Sequence, residues 1–102
     1  MQSKMRAELK DGFTAVAVLI NHPMETGSRK DPVTGLTVPR HFIEDIRCDH
    51  MGETILSADW GWGISANPLL TFQFAGGAAG DPVTVHWKDN LGNRETIEAR
   101  IE

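Results

Sequence analysis

The sequence has 102 residues, a hydrophobic share of 40%, and 14 Asp and Glu against 10 Lys and Arg. This length suits one domain, residues 1–102, whose core is large enough to be stable without a disulfide or a structural metal. The formal charge of −4 argues against the basic surface typical of proteins that bind nucleic acid. The apolar share excludes the disordered, collagen-like and coiled-coil classes.

The cysteine count and the hydropathy of the sequence indicate whether the chain has disulfides, membrane spans or an export signal. Cys48 is the single cysteine, so the chain forms no internal disulfide. The longest apolar run covers residues 15–20 and is far too short to span a membrane. The start of the chain, MQSKMRAELKDG, lacks the apolar segment of a signal peptide. We therefore expect a chain that does not associate with a membrane and carries no export signal of its own.

Alternating apolar residues and turn signals predict an all-β chain. The sequence contains about seven short strand segments and no convincing helix, over residues 4–9, 13–20, 40–50, 54–58, 70–74, 83–87 and 95–101. Short strands at this spacing are typical of an antiparallel β-sandwich of the immunoglobulin-like type. The paired cysteines of antibody domains are missing, so we expect Trp87, on an alternating strand, to fill the core instead.

The segment 40–50 is ambiguous by periodicity. A helix would place Phe42, Ile43 and Ile46 on one face, and Pro39 could begin it. A strand would instead place Phe42, Ile46 and Cys48 on one side. A glycine turn follows the segment and makes a hairpin plausible. The pattern of this segment alone leaves both interpretations open.

Two loops carry the candidate interface residues. Residues 21–39 form a long irregular stretch rich in Pro and Gly, and such stretches in small domains are usually functional or disordered. This stretch offers Met24 beside charged residues, and a second loop places Trp60 and Trp62 among glycines. Tryptophan is a frequent interface anchor, so we expect Met24, Trp60 and Trp62 at a partner interface. The alternative is that one tryptophan folds back over the end of the sandwich.

The sequence predicts a protein that is not an enzyme. No serine lies in a nucleophile motif, and the glycines near residue 77 are not followed by the Lys-Ser/Thr of a phosphate-binding loop. The histidines are too far apart in sequence to form the closely spaced pair typical of zinc sites. They are His22, His41, His50 and His86. We therefore expect no catalytic residue, no metal site and no cofactor.

One alternative function remains open from the residues themselves. Cys48, His50 and Met51 place three soft ligands close together, as in a small metal or redox domain. A copper site of the electron-transfer type would need a further, distant histidine, and its ligand cluster would lie near the C-terminus. Cys48 as a nucleophile would need an adjacent base and a lowered pKa. A buried, unreactive strand cysteine is the simpler interpretation.

Three stretches of the sequence form a specific pattern. Residues 22–43 read HPMETGSRKDPVTGLTVPRHFI, residues 50–68 read HMGETILSADWGWGISANP, and residues 83–101 read VTVHWKDNLGNRETIEARI. These stretches resemble the SoxZ family, which supplies one subunit of the SoxYZ carrier complex in bacterial sulfur oxidation. The resemblance covers about residues 4–101 and implies an immunoglobulin-like sandwich in which segment 40–50 is a strand. Trp62 departs from the family pattern, because a smaller residue, often Pro, is expected there.

The resemblance also implies a function. SoxZ proteins pair with SoxY, whose Gly-rich C-terminal arm carries sulfur intermediates on a cysteine while thiosulfate or sulfur is oxidised by other Sox enzymes in the periplasm. The present chain ends Ala99-Arg100-Ile101-Glu102 without such an arm, and no family role attaches to Cys48. The resemblance thus predicts a non-catalytic scaffold subunit that binds SoxY, contacts other Sox enzymes transiently, and is exported together with its partner.

Overall fold

The computed structural model describes residues 2–61 and 63–102, which form an all-β structure, as predicted. Its seven strands are β1 (Lys4–Lys10), β2 (Phe13–Leu19), β3 (Ile43–His50), β4 (Glu53–Asp59), β5 (Leu69–Ala75), β6 (Pro82–Asp89) and β7 (Arg94–Arg100). Among the described residues, no helix has the length and apolar character needed to cross a membrane.

The strands form two antiparallel sheets that face each other as a β-sandwich. The smaller sheet has the order β1-β2-β5 and the larger has the order β4-β3-β6-β7. β1 and β7 also meet across the gap between the sheets, because Ala7 and Ile101 form a parallel bridge. The molecule is elongated, with extents of 53 × 22 × 18 Å and a radius of gyration of 15.8 Å. The immunoglobulin-like prediction is confirmed.

The core lies between the sheets and is built from the inward positions of alternating strands. Val16 and Val18 of β2 face Val83 and Val85 of β6, and all four are buried. Trp87 continues the inward row of β6 and is 7% exposed. Period-two alternation therefore identifies the buried face of β6, and Trp87 is the core tryptophan, as predicted.

Strand β3 explains why its segment was ambiguous. Its register with β6 shifts between Ile43 and Asp45, and its register with β4 shifts between Cys48 and Asp49. An irregularity of this kind breaks the period-two alternation, so Ile43, Ile46 and Cys48 are the buried residues. The strand interpretation, with Phe42, Ile46 and Cys48 on one side, is confirmed for Ile46 and Cys48, whereas Phe42 precedes the strand and is half-buried.

The long segment between β2 and β3 contains no regular strand but folds back on itself. Isolated bridges join Glu25 to His41 and Lys30 to Thr37. The outer turn is closed by the Asp31 N–H donating to the Leu36 carbonyl at 2.8 Å. The segment thus forms an irregular arm that starts and ends beside the ends of β2 and β3.

Candidate functional site

Three side chains from distant parts of the chain converge where this arm joins the sandwich. His22 follows β2, His41 precedes β3, and Asp89 is the last residue of β6. Nε2 of His22 lies 2.9 Å from Oδ2 of Asp89, and Nε2 of His41 lies 2.7 Å from the same oxygen. We call these three residues the His–Asp cluster.

Asp89 is the centre of the His–Asp cluster and is held from its other side by the turn between β6 and β7. Its Oδ1 accepts the backbone N–H groups of Leu91 and Asn93 at 3.0 and 2.8 Å, and its Oδ2 accepts the Asn93 side-chain amide at 3.0 Å. Burial raises the pKa of Asp89, but the hydrogen bonds from His22, Asn93 and His41 outweigh burial and hold the pKa well below its usual range. Asp89 is therefore a buried carboxylate anion with a fixed orientation.

His22 is the deeply buried histidine of the cluster, with an exposed fraction of 4%. Its ring packs edge-on against Trp87 at 4.9 Å between centroids, and its Nδ1 contacts the carbonyl oxygen of Pro23. Asn67 fixes the backbone on both sides: its Oδ1 accepts the His22 N–H at 3.0 Å, and its own N–H donates to the His22 carbonyl at 2.8 Å. Both ring nitrogens of His22 thus face oxygen acceptors.

His41 is the accessible member of the cluster. Its side chain is 24% exposed, and its ring lies 4.6 Å from that of His22. Its backbone pairs with Glu25, and the adjacent chain is fixed by Asn90, whose Oδ1 accepts the Phe42 N–H at 2.9 Å. The side chain of His41 therefore forms the solvent side of an otherwise buried group.

Sequence reasoning missed this cluster. Asp89 is 67 positions from His22 and 48 from His41, so a search for closely spaced histidines finds nothing. The sequence offered only an indirect sign that the two histidines are neighbours. His22 and His41 lie at the two ends of one long irregular segment, and both ends of such a segment lie at the same end of the sandwich. The structure places the other histidines elsewhere, His50 beside Asp81 at 2.9 Å and His86 beside Asp49 at 3.3 Å.

The alternative soft-ligand set is spread over three environments. Cys48 is fully buried, and burial together with the neighbouring Asp49 charge raises its pKa to about 12. His50 donates toward Asp81 and packs 5.0 Å from the Phe74 ring. Met51 is 66% exposed in the turn after β3. Cys48 is therefore a neutral core thiol, in agreement with the simpler interpretation of the sequence.

The structure describes two of the three predicted interface residues, Met24 and Trp60, and both are half-buried. Trp60 packs against the edge of the core, and its backbone N–H donates to the Glu44 carbonyl at 2.6 Å. Trp62 lies outside the described residues. An interface role for these three residues stays a prediction.

Comparison with known proteins places the chain in a family. Residues 1–100 match the family described as sulphur oxidation protein SoxZ. No curated protein sequence matches significantly. A hypothetical protein from Pyrococcus horikoshii OT3 superimposes with a TM-score of 0.65 at 15% identity, covering 100% of this chain and 88% of that one.

Structures named superoxide reductase (neelaredoxin) are also similar to this chain. A single-residue variant of the protein from Archaeoglobus fulgidus, in the reduced form, gives a TM-score of 0.62 at 16% identity, covering 97% of this chain and 86% of that one. The protein from Ignicoccus hospitalis gives 0.61 at 18% identity, covering 100% and 81%. Likeness at such identities shows a shared fold alone. Family membership rests on the match over residues 1–100, and the chain belongs to the SoxZ family of sulphur oxidation proteins.

Proposed function

We propose that this chain is the non-catalytic scaffold subunit of a Sox carrier complex and pairs with a SoxY-type subunit that bears the sulfur intermediates. The observation that carries the proposal is the family match over residues 1–100, which implies a role in the Sox sulfur-oxidation system. That system is periplasmic in general. We propose that the present chain reaches the periplasm together with its partner.

The state of Cys48 supports a scaffold rather than a carrier. A carrier thiol must meet several enzymes, and it must form a thiolate to take up sulfur. Cys48 is fully buried within β3, and its pKa is raised to about 12 by burial and by Asp49. Such a thiol is neither accessible nor nucleophilic at neutral pH, so the carrier cysteine belongs to the partner.

The proposed partner interface involves Met24, Trp60 and Trp62. Trp60 packs against the core, which favours a supporting rather than an anchoring role for it. Trp62 lies between Gly61 and Gly63, which have no side chains to cover it. Burial of one tryptophan at an interface centre contributes about 2 kcal/mol or more. We therefore assign the anchoring role to Trp62 and the supporting role to Trp60.

Co-expression with a SoxY-type subunit tests this proposal. A stable stoichiometric complex is expected, and Trp62→Ala is expected to weaken it by at least about tenfold while the melting temperature of the free chain stays nearly unchanged. Leu69→Ala, which removes a side chain that is 66% exposed on β5, serves as the matched control. Failure to form a complex would refute the pairing. Parental affinity in Trp62→Ala would move the interface to an outer sheet face.

A further inference from the structure

The His–Asp cluster has the donor atoms of a metal site. His22, His41 and Asp89 each offer one ligand atom, and these atoms all lie within 4.8 Å of one another. Two imidazole nitrogens and one carboxylate oxygen are a common ligand set for first-row divalent metals, zinc and ferrous iron among them. The cluster therefore differs from the isolated pair His50 and Asp81, which offers only two such atoms.

The separations within the cluster are close to those of coordination but shorter. Two ligands held about 2.1 Å from one tetrahedral ion lie about 3.4 Å apart, so the imidazoles would move away from the carboxylate by about 0.5–0.7 Å as the ion replaces the bridging protons. The observed separations from Asp89 Oδ2 to the two Nε2 atoms are 2.9 and 2.7 Å. A divalent ion between them would take the place of the protons that now bridge the imidazoles to the carboxylate.

The surroundings of the cluster resemble the outer shell of metal sites. Ligating histidines usually donate their second ring N–H to a backbone carbonyl or a carboxylate, which fixes the tautomer. His22 has this arrangement already, because its Nδ1 contacts the Pro23 carbonyl. The carboxylate is oriented too, since Leu91 and Asn93 hold Oδ1 and turn Oδ2 toward the histidines.

The cluster also has an entry side. His22 and Asp89 are buried, whereas the His41 side chain is 24% exposed. His41 lies at the end of the irregular arm, and its ring is the member of the cluster that meets solvent. A water molecule on the side of His41 would complete a four-coordinate ion.

We propose that His22, His41 and Asp89 bind one divalent transition-metal ion, with zinc as the reference ion and water in the remaining position. The three ligands come from the end of β2, the start of β3 and the end of β6. The ion therefore links both ends of the arm to the larger sheet. Its chemical role follows from this position: it holds the arm in one arrangement relative to the sandwich.

Metal titration of the tag-free, chelator-treated full chain tests this inference. Calorimetry with Zn²⁺ is expected to show one ion per chain, and Co²⁺ is expected to give the visible bands of an ion bound by nitrogen and oxygen. His41→Gln is expected to lower the affinity at least about tenfold. His50→Gln, which removes the histidine paired with Asp81, is the matched control and is expected to bind as the parent does.

Two results of the titration would overturn the proposal directly. One is the absence of stoichiometric Zn²⁺ binding by the parent chain, and the other is equal Zn²⁺ affinity in the parent and His41→Gln. A loss in His50→Gln as large as that in His41→Gln also overturns it, because the ion would then lie elsewhere. If His41→Gln does not fold, the Co²⁺ spectrum of the parent decides: an unchanged aqueous spectrum overturns the proposal, and shifted bands at one equivalent support it.

Discussion

Gly77 lies directly against Thr14. A Cβ on Gly77 would overlap the Thr14 hydroxyl oxygen and lie 3.0 Å from Cδ1 of Ile101. Thr14 is fully buried, and its hydroxyl donates to the Gly76 carbonyl at 2.8 Å. The loop between β5 and β6 is thus attached to β2 by a contact that leaves no room for a side chain.

Gly77→Ala is therefore expected to lower the free energy of unfolding by about 3 kcal/mol, since it adds both a steric overlap and a strained backbone at φ +93°. Gly76→Ala is the matched control, because Gly76 has φ +90° but no atom within 4 Å of its added Cβ. That variant should lose about 1 kcal/mol. Urea denaturation of both variants measures the difference, and equal losses would show that the Thr14 contact does not limit position 77.

Cys48 is expected to resist alkylation in the native protein at pH 8. Burial and the Asp49 charge raise its pKa to about 12, so almost no thiolate forms. Iodoacetamide labelling followed by mass spectrometry checks this, with the urea-unfolded chain as the control that labels readily. In the assembled Sox complex, Cys48→Ser should retain the carrier activity. Its loss with the complex intact would assign the substrate to this chain.

Trp60→Ala is expected to lower the free energy of unfolding by about 2 kcal/mol, because it removes a half-buried ring from the edge of the core. Its effect on partner affinity should be smaller than that of Trp62→Ala. Melting temperature and partner affinity are measured for both variants. A stable Trp60→Ala chain that binds poorly would reverse the roles assigned to the two tryptophans.

Asp81 links stability to pH. The hydrogen bond from His50 lowers its pKa, assisted by the Ala78 N–H and the His50 charge and opposed by burial. A carboxyl with a lowered folded-state pKa stabilises the fold above its unfolded pKa of about 3.9, and this contribution is lost as pH falls through the folded value. Asp81→Asn should thus lower the melting temperature at pH 7, and its difference from the parent should shrink below about pH 4. A difference that does not change with pH would contradict this assignment.

Asp89→Ala should be the most damaging of the aspartate substitutions in metal-free protein. It leaves the buried His22 ring N–H without an acceptor and removes the hydrogen bonds from His41 and Asn93, a loss of about 3–5 kcal/mol. Asp45→Ala is the control, since Asp45 lies 3.8 Å from Lys88 at the surface and its loss costs about 0–1 kcal/mol. Chemical denaturation in the presence of a chelator measures both, and similar losses would show that the cluster adds little stability without metal.

The sequence predicts the fold better than it predicts the site, for physical reasons. Strand β6 is recognisable because one face is buried and its residues alternate, as Val83 and Val85 show. Strand β3 resists the same reasoning because two register shifts break its alternation. The His–Asp cluster is invisible to local patterns, since His22 and Asp89 become neighbours only when the sheets pack.

The elongated outline has a hydrodynamic consequence. A compact domain of about 100 residues has a radius of gyration near 13 Å, whereas this chain has 15.8 Å and is 53 Å long. An elongated particle diffuses more slowly and elutes earlier from a sizing column than a sphere of equal mass. The apparent mass of the free chain on a sizing column should therefore exceed its true mass. One-to-one pairing with a partner is better established by light scattering than by elution volume.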